Sequence, residues 1–494
     1  MDADVIIIGS GMGGATLAAA LAPTGRRIMI LERGEHLRVS AQDRDADAIF
    51  GNGTFRPDEE WLDGQDRPFN PGNYYYVGGN SKFYGAALIR YRASDFDAVS
   101  HADGQTPGWP ITYADIEADY QAAEKMYQVR GLETDDPTEP EHSGGYPYPP
   151  VPDEPDMAAL RKRLKDAGLR PSHIPLGVDL GSWLAAGKTT WDAYPNTCGA
   201  KMDAETCGLT SALSHDNVTL RTGCTVDRLE SDHSGHITAA YLDRGERLTA
   251  SLIVAASGAV QTAALLLRSA NETCPTGLAN RSDQVGRNFM NHNCSAVLAL
   301  HPLRKNRSIY QKTLMLNDFY HASNSRPALG NVQMLGKITG PILAATTPLP
   351  RPVAQWIAAR SFDFYAMSED LPNPDSRVTL KNGQIKLNWL RSNWDAHVQL
   401  VGELKRVLRR VGFPVVLSKA FDRRTPSHQC GTARMGDDPV TSVVDRHCRS
   451  HDHPNLFIVD ASVLPTSAAV NPALTIAALA LRAGRHIAQT EFAA

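Results

Sequence analysis

The chain opens on an unbroken apolar run at residues 5–8, then a glycine-rich turn, an Ala- and Leu-rich stretch, a break at Gly25 and a second apolar run ending at Glu32. A short continuous apolar run bounded by glycine marks a strand buried on both faces, and the Ala/Leu stretch reads as a helix. Residues 4–34 therefore predict one complete βαβ unit. Three further elements are predicted near the other end. Residues 455–460 (NLFIVD) predict a strand and 461–470 a small-residue loop. Residues 471–481 (NPALTIAALAL) predict a helix apolar nearly all round, with Asn471 as its N-cap and Pro472 as its first residue. The most apolar stretches, 252–267 and 470–481, are shorter than the roughly 20 residues a membrane span needs, so they are core elements and no membrane span is expected. Residues 135–156, rich in Pro, Gly and acids, cannot sustain a helix or central strand and predict a long surface connection.

The glycine turn carries the first chemistry. In GSGMGG, Gly9 permits a tight turn, Gly11 lets the backbone approach a pyrophosphate at the helix N-terminus, and Gly14 lets helix and strand pack closely. Glu32, 23 positions after Gly9, is placed to accept ribose hydroxyls and disfavours a 2′-phosphate. The turn alone does not separate NAD from FAD. The far helix does: its N-terminus offers a positive dipole end suited to the negative charge of a reduced flavin, which nicotinamide does not need.

Composition narrows the partners. With 494 residues, 42% of them hydrophobic, the chain has room for two or three domains. A formal net charge of -4 leaves no basic excess for nucleic acid or an anionic membrane, so a small-molecule partner is expected. Seven cysteines without a C-x-x-C pair argue against a disulfide framework and for a reducing compartment. The first strand starts too near the N-terminus for a signal peptide to precede it, so a cytoplasmic location is expected.

Five segments, in order, resemble the glucose-methanol-choline family of FAD oxidoreductases: GSGMGG with Glu32; VGGNSKFYGAAL (77–88); the pair 217–229 and 251–267; EDLPNPDSRVTL (369–380); and 428–475, from HQCGTARMG to NPALT. The resemblance implies an α/β, overall α+β, architecture. A discontinuous doubly wound FAD-binding domain (1–100, 195–300 and 425–494) is expected beside a substrate domain (101–194 and 301–424) on a mostly antiparallel sheet. Cofactor contacts are implied at Gly9, Ser10, Gly11, Met12, Gly14, Glu32, Arg33, Gly78, Gly79, Ser81, Tyr84, Gly85, Val226, Ala256, Asp460, Ala461, Pro472 and Thr475. Tyr84 stands where many members carry Asn. Members that attach FAD covalently use a histidine in this stretch; Lys82, Phe83 and Tyr84 stand here, so the FAD is expected to be non-covalent.

His428 and Asn471 fall on the family's catalytic pair in its His/Asn form. Oxidising an alcohol removes a hydroxyl proton and a hydride, and an imidazole is suited to the proton. The resemblance implies CH–OH oxidation with His428 as general base, Asn471 holding the same oxygen, and hydride passing to flavin N5. A sugar, glycoside or polyol is the expected substrate, and a non-sugar aliphatic, aromatic or sterol-like alcohol the alternative. The acceptor that follows, oxygen, a quinone or a redox protein, is left open. A flavin-dependent reductase would need a second glycine motif and a redox cysteine pair, and neither is present. His447, His451 and His453 fall where a turn is due and are not expected to bind metal. Cys430 is expected in packing and Asn291, His292 and Asn293 in a polar loop that could edge the site; Trp183, Trp191, Trp356, Trp389 and Trp394 are expected in the core, with an aromatic platform for a sugar ring as the alternative role.

Overall fold

The structure is a computed structural model and describes residues 1–323, 326–425 and 428–492. Two sheets organise it. The first is parallel and draws on both ends and the middle of the chain: strands Leu456–Ile458, Ala250–Ala255, Ala3–Ile8, Ile28–Leu31 and Val218–Arg221 lie side by side in that order. Ile6 sits opposite Ile253 on one side and Met29 on the other, and Val5, Ile6 and Ile7 are fully buried. Burial on both faces is why this strand is continuously apolar rather than alternating. From its end the chain passes to Ile28–Leu31 on one side and returns at Ala250–Ala255 on the other. The carboxyl end of Ala3–Ile8 is therefore the topological switch point, where open α/β sheets bind ligands.

Helix Met12–Leu21 starts at that point and packs against helix Ala473–Thr490. Its first turn is pressed onto backbone. A Cβ on Gly14 would lie 2.0 Å from the Gly9 carbonyl oxygen, and one on Gly13 would lie 1.8 Å from that of Val459. The close packing assigned to Gly14 is thus shared by Gly13, which the motif spacing does not mark and which lets the C-terminal strand approach.

The second sheet is antiparallel throughout, with strands Val415–Ala420, Asn293–Leu300, Ser361–Ser368, Asn331–Met334, Leu314–Leu316 and Pro171–His173 in that order. Val297, Ala299, Val332, Met334 and Phe364 share an apolar core with Leu160 and Leu164 of helix Pro155–Asp166 and Leu400 and Leu404 of helix Trp394–Arg410. Asn331 and Gln333 alternate with Val332 and Met334, so the two-residue period turns them to the opposite face. Both are fully buried there. Asn293–Leu300 lies on the nucleotide-binding side of the expected boundary at residue 300 but hydrogen-bonds into this antiparallel sheet.

Residues 135–154 carry no helix or regular strand, but they are not wholly superficial: Asp136 is buried and ion-paired with buried Arg92. The helix that follows begins inside the expected connection, with Pro155 in its first turn, where proline is tolerated. Among the described residues no helix is long and apolar enough to cross a membrane. All seven cysteines are free.

Gly13→Ala should lower the unfolding free energy of nucleotide-free protein by about 1–3 kcal/mol, the usual cost of overpacking. Gly11→Ala, whose Cβ would meet no protein atom within 4 Å, should change it by less than about 0.5 kcal/mol. Denaturant titration of both variants checks this; equal midpoints for Gly13→Ala and the parent would contradict it.

Candidate active site

At the switch point three segments converge. The Ser10 amide and hydroxyl donate to Glu32 Oε2 at 3.0 and 2.6 Å, and the Gly78 amide donates to Ser10 Oγ at 3.0 Å. The Gly34 amide donates to Glu32 Oε1 at 2.8 Å, so that oxygen keeps one lone pair for a further donor such as a ribose hydroxyl. Burial raises the Glu32 pKa, opposed by these hydrogen bonds. Gly11 precedes the helix in extended conformation, and no protein atom lies within 4 Å of where its Cβ would be. The protein's own packing does not demand glycine there. A phosphate drawn to the unsatisfied amides of a helix N-terminus does, and Gly79, whose Cβ would lie 3.4 Å from Gly11 Cα, brings the second glycine loop alongside. These residues fit a dinucleotide pyrophosphate.

The other predicted contacts divide into two groups. Met12 opens the helix, the Ala256 amide donates to the Ile8 carbonyl, and Arg33 stacks on Tyr75 at 3.8 Å. The Cys224 amide donates to the Glu32 carbonyl, so the segment leading to Val226 borders Glu32. Ser81 and Tyr84 turn their side chains into the protein: Ser81 Oγ donates to the Gly78 carbonyl and Tyr84 Oη to that of Met202, each at 2.6 Å. Asp460 is likewise saturated. The Gly258 amide and Thr262 hydroxyl donate to Oδ2 and the Ser462 amide to Oδ1, leaving backbone as the surface a ligand would meet at Asp460 and Ala461.

The second cluster lies where residues 290–293 and 428–431 run together. Met290 and Cys430 exchange backbone hydrogen bonds at 3.0 Å in both directions, an antiparallel pairing that sets His292 opposite His428. Their Nδ1 atoms are 3.0 Å apart, and His292 Nε2 donates to the Ala468 carbonyl at 2.8 Å. His428 holds φ +69°, a left-handed conformation that favours glycine, so its side chain is kept despite the backbone. Burial, then the proximity of His292 and Lys312, hold the His428 pKa well below the ordinary histidine range. Lys312 is itself paired with Asp192 at 2.9 Å, against Gly85.

Asn471 Nδ2 lies 3.2 Å from His428 Nε2, and Asn471 Oδ1 accepts from Gln333 Nε2 at 2.8 Å. This corrects the expected cap. Helix Ala473–Thr490 is preceded by Pro472 as N-cap, without a side-chain capping bond, and the Asn471 amide is spent on the site instead. Thr475, one turn in, shares a 2.7 Å hydrogen bond with Tyr120 Oη. Beyond Gln333 the chain continues through Asn331 (3.1 Å), Asn317 (2.7 Å) and Asp136 (2.7 Å) to Arg92.

Gln333, Asn331, Asn317, Asp136 and Lys312 escaped the sequence analysis. Their only signal is the polar alternation within Asn331–Met334. The tempting histidines are dispersed: His447 stacks on His486, while His451 and His453 bond to Gly436 and Gly235 carbonyls. Cys430 is buried, and burial raises its pKa. Trp183 and Trp191 are fully buried, with the Trp191 indole donating to the Gly85 carbonyl at 3.0 Å.

Residues 151–294 and 372–480 match the GMC oxidoreductase family, and residues 7–58 match an NAD(P)-binding Rossmann-like domain. The chain is 31% identical to 6'''-hydroxyparomomycin C oxidase of Streptomyces lividus, over 98% of this chain and 91% of that one. It is 26% identical to 2-methyl-1,2-propanediol dehydrogenase of Mycolicibacterium austroafricanum, over 98% and 95%. It is also 26% identical to the fructose dehydrogenase large subunit of Gluconobacter japonicus, over 99% and 98%. The crystal structure of pyridoxine 4-oxidase from Mesorbium loti superposes with a TM-score of 0.68 over 99% of both chains at 20% identity, a likeness of fold. With a dinucleotide cradle at the sheet's switch point and a His/Asn pair brought together from distant segments, the chain belongs to the GMC oxidoreductases, a generally flavin-dependent family, and is an oxidoreductase acting on CH–OH groups.

Proposed function

We propose that the protein binds FAD non-covalently and oxidises a hydroxyl of a sugar, glycoside or polyol to the carbonyl, with His428 as general base. The observation that carries this is the pairing of His428 Nε2 with Asn471 Nδ2 at 3.2 Å on an imidazole kept neutral by its surroundings. An alcohol oxygen within reach of both atoms exchanges their mutual contact for two of its own, donating its proton to Nε2 and accepting from Nδ2. Asn471 then holds the oxygen as its negative charge grows. When bound, FAD supplies the acceptor for the hydride leaving the carbon.

Gly11, Gly79, the helix Met12–Leu21 N-terminus and Glu32 are the residues that would hold the dinucleotide. We divide the chain into a nucleotide unit, 1–100, 195–292 and 425–494, and a substrate unit, 101–194 and 293–424, drawing the boundary before Asn293 because of its strand pairing. Two features support a polyhydroxylated substrate. Gln333 Oε1, beside Asn471, is a buried acceptor without a partner among the described residues. A substrate rich in hydroxyl donors answers such an acceptor. The names of the aminoglycoside and fructose relatives point the same way. The free cysteines, five of them buried, support a cytoplasmic location.

Anaerobic bleaching of the flavin by amino sugars, other glycosides and polyols, but not by simple or aromatic alcohols, is expected of the purified FAD-loaded protein. Bleaching by simple alcohols alone would overturn the carbohydrate reading. His428→Ala should retain FAD and slow flavin reduction by about 10²–10⁴-fold; reduction at the parent rate would remove His428 from its role.

Because the His428 pKa is lowered, the neutral base persists as pH falls through 6.5 and is lost only below it. The rate of flavin reduction should therefore be level from pH 8 to 6.5 and decline at lower pH. A decline centred on 6.5 or above, in stopped-flow traces across that range, would contradict this. The same depression costs stability below about pH 6.5, where the unfolded chain takes the proton first.

A further inference from the structure

His292 touches neither end of the proposed reaction, yet its position dictates which nitrogen of His428 can act. It is 2% exposed, and its Nε2 faces the Ala468 carbonyl at 2.8 Å. A carbonyl oxygen only accepts, so Nε2 of His292 carries a hydrogen. In the neutral ring Nδ1 then has none and can only accept. The atom facing it at 3.0 Å is His428 Nδ1, which must be the donor. His428 therefore carries its proton on Nδ1 and its lone pair on Nε2.

The opposite arm reaches the same result independently. Asp136, ion-paired with Arg92, accepts from Asn317 Nδ2, which turns Asn317 Oδ1 to accept from Asn331 Nδ2. Asn331 Oδ1 then accepts from Gln333 Nε2, whose second hydrogen goes to Asn471 Oδ1. Asn471 is left presenting Nδ2 to His428 Nε2, which must accept.

We propose that His292 is a positioning residue that locks His428 in the tautomer whose Nε2 is the base. This rests on His428 being that base, and it adds a function for a histidine whose segment reads as a polar loop. The geometry also survives the proton transfer. Once His428 has taken the substrate proton at Nε2, its Nδ1 hydrogen still donates to His292, so the imidazolium keeps its partner and the ring need not turn. Without His292 the tautomer is held only by Asn471 Nδ2, a contact that the bound alcohol exchanges for its own; in the substrate complex the proton is then free to settle on Nε2, and a ring protonated there has no lone pair toward the substrate. An orienting partner that sets a catalytic imidazole's tautomer is worth up to about 10⁴-fold elsewhere.

The test compares three FAD-loaded variants by anaerobic stopped-flow with a substrate that bleaches the parent. His292→Gln keeps an acceptor toward His428 and a donor toward Ala468; His292→Phe keeps neither. His292→Phe should lower the limiting rate of flavin reduction at least about tenfold while the substrate concentration giving half the limiting rate stays within about threefold. His292→Gln should restore the rate to within about threefold of the parent. An unimpaired His292→Phe, or a His292→Gln impaired by more than about tenfold, overturns the inference. If His292→Phe does not fold, His292→Gln alone decides on the same limits. His428→Ala is the control that separates the two claims: if it reduces flavin at the parent rate, the base assignment itself has failed, and if it is slow while His292→Phe is not, only the role of His292 falls.

Discussion

A backbone carbonyl accepts hydrogen bonds and never donates them, and at Ala468 that one-sidedness reaches the centre of the site. It fixes the proton on His292 Nε2, hence the acceptor at His292 Nδ1, hence the donor at His428 Nδ1. The carboxylate of Asp136 constrains the other end in the same way, through three amide side chains to Asn471. Both chains terminate in groups that only accept, and they meet at His428 Nε2, the one atom where a lone pair is left pointing at the donor face of Asn471. With His428 as the proposed base, the chemistry depends on that convergence. An imidazole free to exchange tautomers would spend part of its time with no base to offer.

The fold brings these groups together by two unrelated devices. Antiparallel pairing of Met290 with Cys430 places His292 across from His428, although 136 positions separate them in sequence. The pleat of the antiparallel sheet then turns Asn331 and Gln333 to one face while Val332 and Met334, on the other, join the apolar core that includes helix Trp394–Arg410. Four of the thirteen described non-glycine residues with positive φ lie around the same place. His428, Ala468, Gln311 beside Lys312 and Ala86 beside Gly85 all hold positive φ without being glycine. Each such residue costs on the order of 1–3 kcal/mol and persists only where its surroundings over-determine it. The nucleotide cradle shows the opposite economy. Gly13 and Gly14 are small because backbone crowds them, whereas Gly11 is small although no protein atom is near.

What was legible in the sequence was what is local. The strand, turn and helix around GSGMGG are encoded within about thirty residues by apolar runs and glycine spacing, and the parallel sheet follows them. His428 and Asn471 were legible only through the family resemblance, since a histidine and an asparagine carry no periodic mark. Asn471 before Pro472 has the composition of a helix cap, and composition could not reveal that its amide faces Gln333 and His428 instead. Asn317, Asn331 and Asp136 were beyond reach for the same reason: each is an unremarked polar residue whose meaning comes from a partner far along the chain. His292 stands in a segment that resembles a polar loop, and the pairing of Met290 with Cys430 is what sets it beside His428.

Neutron diffraction from deuterium-exchanged crystals of the FAD-loaded protein at neutral pH would locate the protons of His428 and His292. Deuterium is expected on His428 Nδ1 and on His292 Nε2, and none on His428 Nε2 or His292 Nδ1. Deuterium on His428 Nε2, with Nδ1 bare, would place the lone pair on the wrong side of the ring and contradict the assigned tautomer.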